Sequence, residues 1–123
     1  MPHHVVDRVA KMLNIACRSV NGSKILVLGL AYKAGTADTR ESPSRKVIEL
    51  LTKRGAQVSL HDPWVGEQLY PVPAWNRLVP IREFDLVVLL TNHDEFTDEL
   101  VSTATRVFDT RDHFALASNI ERL

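Results

Sequence analysis

Apolar positions along the chain fall into two rhythms. Residues 3–20 carry Val5, Val9, Met12 and Ala16 at three- and four-residue steps, with Val6 and Leu13 widening the stripe, which predicts an amphipathic helix. Pro2 suits its first turn, and Asn21-Gly22-Ser23 is the expected stop. The run KILVLGL, from Lys24 to Leu30, has no polar interruption and predicts a strand buried on both faces. Ser42-Pro43 then opens a second helix, whose packing face is Val47, Ile48, Leu50 and Leu51 and which Gly55 ends. Further strands are predicted at Gln57–His61, Leu86–Thr91 and Arg106–Asp109, with a short helix over Asp98–Thr103. Residues 64–80 are rich in proline and read as irregular, apart from a short helix or turn at Gly66–Tyr70. The tail HFALASNIERL has weak helical character.

Strands alternating with helices make this an α/β chain. The expected architecture is a three-layer Rossmann-like parallel sheet flanked by helices, preceded by an N-terminal connector helix. In such sheets ligands lie beyond the carboxyl ends of the strands. AYKAGTADTR, NHDEF and TRD fall there.

Composition narrows the classes. The chain has 123 residues, enough for one core, with 45% apolar and 24% charged positions. Fifteen basic residues balance fifteen acidic ones, so the bulk field of a nucleic-acid binder is lacking. The single cysteine, Cys17, allows no internal disulfide. No apolar run has the length of a membrane span, and the first twenty residues lack the form of a signal peptide. These features point to a cytoplasmic protein, or a piece of one.

The loop after the first strand, GLAYKAGTADTRESP, raises the chemical question. Gly29 is followed by Leu, Ala, Tyr and Lys, so the glycines of a dinucleotide turn are absent. The spacing to Gly35 is wrong for a P-loop. What remains is a cationic rim: Lys33 and Arg40 around a small flexible centre, with Arg111 at the end of the last strand. Side-chain cations bind a nucleotide diphosphate without a bare glycine turn. Solvated loop charges are the alternative.

The stretch VLGLAYKAGTADTRESPSRKVIELLTKRGAQVSLHDPWV resembles the C-terminal domain of the nucleotide-sugar 6-dehydrogenases, the UDP-glucose/GDP-mannose dehydrogenase family. LVVLLTNHDEF and VFDTRD also look like family segments, and MPHHVVDRVAKMLN looks like the helix leading into that domain. The likeness covers nearly the whole chain and is weakest over residues 66–82. It implies residues 1–22 as a connector helix from a central domain and residues 23–123 as a nucleotide-sugar-binding domain. It further implies an enzyme that oxidises the sugar C6 alcohol to a carboxylate in two hydride transfers to NAD, with a cysteine nucleophile. NAD would be held mainly by an N-terminal domain outside this chain. Under the resemblance Tyr32, Lys33 and Arg111 match substrate-contacting positions, UDP-sugar being the expected substrate, and Arg40 matches the arginine that reaches toward NAD. Ala37 departs from the family, many members having an acid there. The expected partners are the N-terminal and central domains, the full enzyme a homodimer or higher homo-oligomer serving polysaccharide biosynthesis. The chain alone is expected to be inactive. The competing reading is a stand-alone nucleotide-binding or regulatory module.

Several residues carry a blander reading. Cys17 lies outside any matching motif and reads as a small, at least half-buried helix residue, so no catalytic residue is assigned. The five histidines lack zinc-site spacing. Asp62-Pro63 reads as a strand-ending turn and His93-Asp94 as a loop-capping pair. Glu41 and Asp38 read as support for Arg40 or for the next helix. Trp64, Tyr70 and Trp75 fit either an interdomain surface or ordinary packing.

Overall fold

A computed structural model describes residues 2–31, 33–37, 42–65 and 71–123. Tyr32 and Arg40, both expected site residues, lie outside the described residues, as do Asp38, Glu41 and the expected turn at 66–70.

The elements are α1 (Pro2–Ile15), β1 (Lys24–Leu28), α2 (Pro43–Lys53), β2 (Gln57–His61), β3 (Leu86–Leu89), α3 (Asp98–Val101), β4 (Val107–Asp109) and β5 (Ile120–Arg122). A 3-10 turn, Ile81–Glu83, precedes β3. All five strands are parallel, in the order β2-β1-β3-β4-β5. This is a doubly wound sheet, whose strand order reverses between β1 and β3.

Strand periodicity divides the core. Ile25, Val27, Leu86 and Val88 face α1 and α2, while Leu26, Leu28, Val87 and Leu89 face the other side. Both faces of β1 and β3 are therefore apolar, which is why those runs have no polar interruption. The second face is covered by α3 and irregular chain through Trp75, Ile81, Phe84, Phe96 and Phe114. Trp75 is thus a core residue, whereas Trp64 is 46% exposed. Val5, Val6, Val9, Met12 and Leu13 of α1 pack into the same core as α2.

Two expectations are corrected. The first helix ends at Ile15, before Asn21-Gly22. Cys17 takes a left-handed φ of 60° and donates its N–H to Asn14 O at 3.0 Å, while Arg18 donates to Leu13 O at 2.8 Å. That bond pair is a Schellman cap with cysteine where glycine is usual. Cys17 is exposed beyond the helix and is not packed within it. The second correction is the tail, which forms β5 on the edge beside β4. Its strand is short and charged, and Arg8 clamps it by donating to Glu121 Oε2 at 2.8 Å and to Arg122 O at 3.0 Å. Charged side chains suit an edge strand, and they hid the strand from pattern reading.

No helix among the described residues is long and apolar enough to cross a membrane.

Candidate functional site

The first strand ends at a glycine for a steric reason. Gly29 has φ 103°, and a β-carbon there would overlap Thr91 of the neighbouring loop. Its N–H donates to His61 O at 2.9 Å, so the chain leaves the sheet tightly against β2 and β3.

Asp62, immediately after β2, turns inward. Its Oδ2 accepts the N–H groups of Leu30 and Ala31 at 2.8 and 2.9 Å, and its Oδ1 accepts that of Trp64 at 2.8 Å. His93 Nε2 lies 3.1 Å from the same Oδ2, and neither side chain is exposed. Gly35 donates its N–H to His93 Nδ1 at 3.0 Å, while Thr91 Oγ1 donates to Ala31 O at 2.9 Å. The His93 ring stacks on Trp64 with centroids 6.0 Å apart and lies 5.6 Å from Phe96. Lys33 sits exposed in the loop between these fixed points.

A second acid organises the other cation. Buried Asp109, the last residue of β4, accepts Arg111 N–H on Oδ1 at 3.0 Å and the N–H groups of His113 and Phe114 on Oδ2 at 2.8 Å each. Arg111 Nε donates to Leu90 O at 2.9 Å, which pins the guanidinium stem across the end of β3. Beside it lies a cavity of about 250 Å³, lined by Pro2, Val5, Pro43, Ser44, Val47, Leu90, Thr110 and Arg111. The N-termini of α1 and α2 border it, so their partial positive charge adds to that of Arg111. Ser42 caps α2, its side chain accepting Ser44 N–H at 3.2 Å.

Of the four expected site residues, the structure places Lys33 and Arg111, both exposed and both beyond carboxyl ends of the sheet, on loops after β1 and β4 with β3 between. Asp62 and Asp109 each accept three backbone N–H groups, and Asp62 also meets His93. In the sequence Asp62-Pro63 reads as a strand-ending turn, and Asp109 carries no assigned role. An acid at the strand end is the signal for both: Asp62 directly follows β2 and Asp109 closes β4.

The β1 turn does not fit a dinucleotide. A pyrophosphate on such a turn needs free backbone N–H groups, and those of Leu30 and Ala31 are held by Asp62. Asp62 is 1% exposed, which removes it as a ribose-binding acid. Among the described residues no three His, Cys, Asp or Glu side chains gather into a metal-holding group.

His61, at the end of β2, is half-buried. Burial lowers its pKa below the ordinary 6.5, nearby Arg77 lowers it further, and Asp62 opposes the shift.

Residues 26–115 match the family model for the UDP binding domain of the UDP-glucose/GDP-mannose dehydrogenase family. A UDP-N-acetyl-D-mannosamine dehydrogenase of Methanocaldococcus jannaschii is 29% identical over 121 residues, 98% of this chain and 25% of that protein. The enzyme of the same name from Methanococcus maripaludis strain S2 is 38% identical over 96 residues, 78% of this chain and 22% of that protein. The solved UDP-D-ManNAc dehydrogenase of Pyrococcus horikoshii superposes with a TM-score of 0.80 at 26% identity, covering 98% of this chain and 29% of that one. The chain spans about a quarter of the length of these relatives.

Proposed function

This chain belongs to the UDP-glucose/GDP-mannose dehydrogenase family as its UDP-binding domain, and from that footing we propose that it is the nucleotide-sugar-holding C-terminal domain of an NAD-dependent nucleotide-sugar 6-dehydrogenase. The observation that carries this reading is the pair of cation-bearing loops at the carboxyl edge of the sheet. Each is anchored by a buried acid that leaves its cation outward. Lys33 and Arg111 meet the diphosphate of a UDP-sugar, a charge-assisted contact worth about 1.5–3 kcal/mol per bond. Tyr32 joins them on the substrate, and Arg40 reaches toward NAD.

In the full enzyme two NAD would each take one hydride from the sugar C6, and with one water added at the aldehyde stage the alcohol would become a carboxylate. NAD would be held mainly by an N-terminal domain, a reading supported by the engagement of the Leu30 and Ala31 N–H groups by Asp62. Residues 1–22 connect a central domain to residues 23–123, and the full enzyme assembles as a homo-oligomer in the cytoplasm, serving polysaccharide biosynthesis. This chain's contribution is to bind and orient the nucleotide end while chemistry proceeds on other domains.

Calorimetric titration of this chain with UDP and, separately, with NAD tests the reading. UDP binding that weakens in Lys33→Ala and Arg111→Ala is the expected result. Binding of NAD in preference to UDP, or UDP affinity unaltered in both variants, overturns it.

A further inference from the structure

We propose that the buried Asp62–His93 pair is a positioning device for the Lys33 loop, holding the backbone on both sides of Lys33 so that its ammonium is presented to a nucleotide diphosphate. The inference rests on the nucleotide-binding reading above and assigns that site its supporting residues.

The bonds define the device. Upstream of Lys33, the N–H groups of Leu30 and Ala31 are fixed on Asp62 Oδ2. Downstream, Gly35 N–H is fixed on His93 Nδ1. A ring nitrogen that accepts carries no hydrogen, so the ring hydrogen is on Nε2 and points to Asp62 Oδ2, 3.1 Å away. Carboxylate, imidazole and amide thus form one chain of hydrogen bonds beneath the loop. Trp64 and Phe96 flank the ring and hold its plane.

A purely packing role does not call for these groups. Taking an acid and an imidazole out of water is costly, and apolar residues of similar volume serve stability as well or better. What the pair adds is direction, because each bond accepts one backbone geometry. Only Tyr32, Lys33 and Ala34 separate the anchored Ala31 and Gly35. Lys33 thus lies between two held amides, and holding a loop beforehand lowers the ordering cost of binding.

The test compares the unsubstituted chain with His93→Phe and His93→Gln. Phenylalanine fills the ring's place but removes both bonds. Glutamine keeps an N–H for Asp62 and an oxygen for Gly35. Two quantities are read: hydrogen exchange at the Gly35 amide without ligand, and the Kd for UDP. His93→Phe should raise Kd about tenfold, the scale of lost preorganisation, and should release the Gly35 amide to fast exchange. His93→Gln should recover most of both, with affinity following Gly35 protection and not melting temperature. Unaltered UDP affinity in His93→Phe overturns the positioning role alone. Failure of the unsubstituted chain to bind UDP removes the nucleotide-binding reading and the loop's ligand role with it. Fast exchange of Gly35 in the unsubstituted chain overturns the proposal without any variant, even where His93→Phe does not fold.

Discussion

His93 and Asp62 stand 31 residues apart in the chain, yet their side chains meet at 3.1 Å with no exposed surface on either. The contact spans three strands, since Asp62 follows β2, His93 follows β3, and β1 lies between them. The loop leaving β1 is consequently tied to both of its neighbours.

Asp62→Ala should be among the most damaging single changes to this fold. It strands the N–H groups of Leu30, Ala31 and Trp64 and leaves His93 without its acceptor. A loss of about 3 kcal/mol or more is expected from urea unfolding. Asp62→Asn should cost less, about 1–3 kcal/mol, because one oxygen still accepts. Equal stability of Asp62→Ala and the unsubstituted chain would contradict the bonding described.

Two glycines with similar backbone angles should respond differently to alanine. Gly22 has φ 84° with open space where a β-carbon would stand, so Gly22→Ala should cost only the left-handed strain of about 1–2 kcal/mol. Gly29 has φ 103° and Thr91 in the way, so Gly29→Ala adds a steric clash to that strain. Thermal melts of the two variants should rank Gly29→Ala well below Gly22→Ala. The reverse order would refute the close packing of the β1 turn.

Acidification should weaken the fold through His61. Burial and Arg77 lower its folded pKa from 6.5, so below that pH the unfolded chain takes a proton that the folded chain refuses. Stability therefore rises with pH in this window. The His61 contribution is intact above pH 6.5 and is lost as the pH falls through the lowered folded value. His61→Gln should show a shallower decline in melting temperature between about pH 7.5 and 5. Matching slopes for both proteins would remove His61 as the cause.

Lysine should not replace Arg111. The guanidinium is anchored through Nε on Leu90 O, and lysine has no nitrogen at that position. Arg111→Lys should therefore lose UDP affinity about as much as Arg111→Ala, roughly tenfold, the worth of one charge-assisted bond. Near-normal UDP binding by the lysine variant would mean that charge alone matters there.

The leading helix should be part of the folding unit. Leu13 is fully buried against the shared core, so Leu13→Ala should cost about 2–5 kcal/mol. Ile15, 73% exposed on the same helix, should tolerate alanine within about 0.5 kcal/mol. Similar melting temperatures for the two variants would indicate that α1 is not seated as described.

Element types were readable along the chain where burial imposes a local rhythm. KILVLGL and LVVLLT announce strands because both faces of β1 and β3 are covered, and the stripe through Val5, Val9 and Met12 announces α1 because one face is. The cationic loop was readable too, since Lys33 and Arg111 follow strands and strand ends in a parallel sheet share one edge. Other features had no local signal. Cys17 supplies a cap that propensity reserves for glycine, because the seated α1 and the return to β1 set the backbone there. β5 is a strand only because β4 stands beside it. Asp62 looked like the end of a strand until the fold brought two amides and an imidazole to its carboxylate. A residue's periodic neighbours report which face it occupies. Its hydrogen-bond partners depend on chain crossings tens of residues away, and only the assembled sheet specifies those.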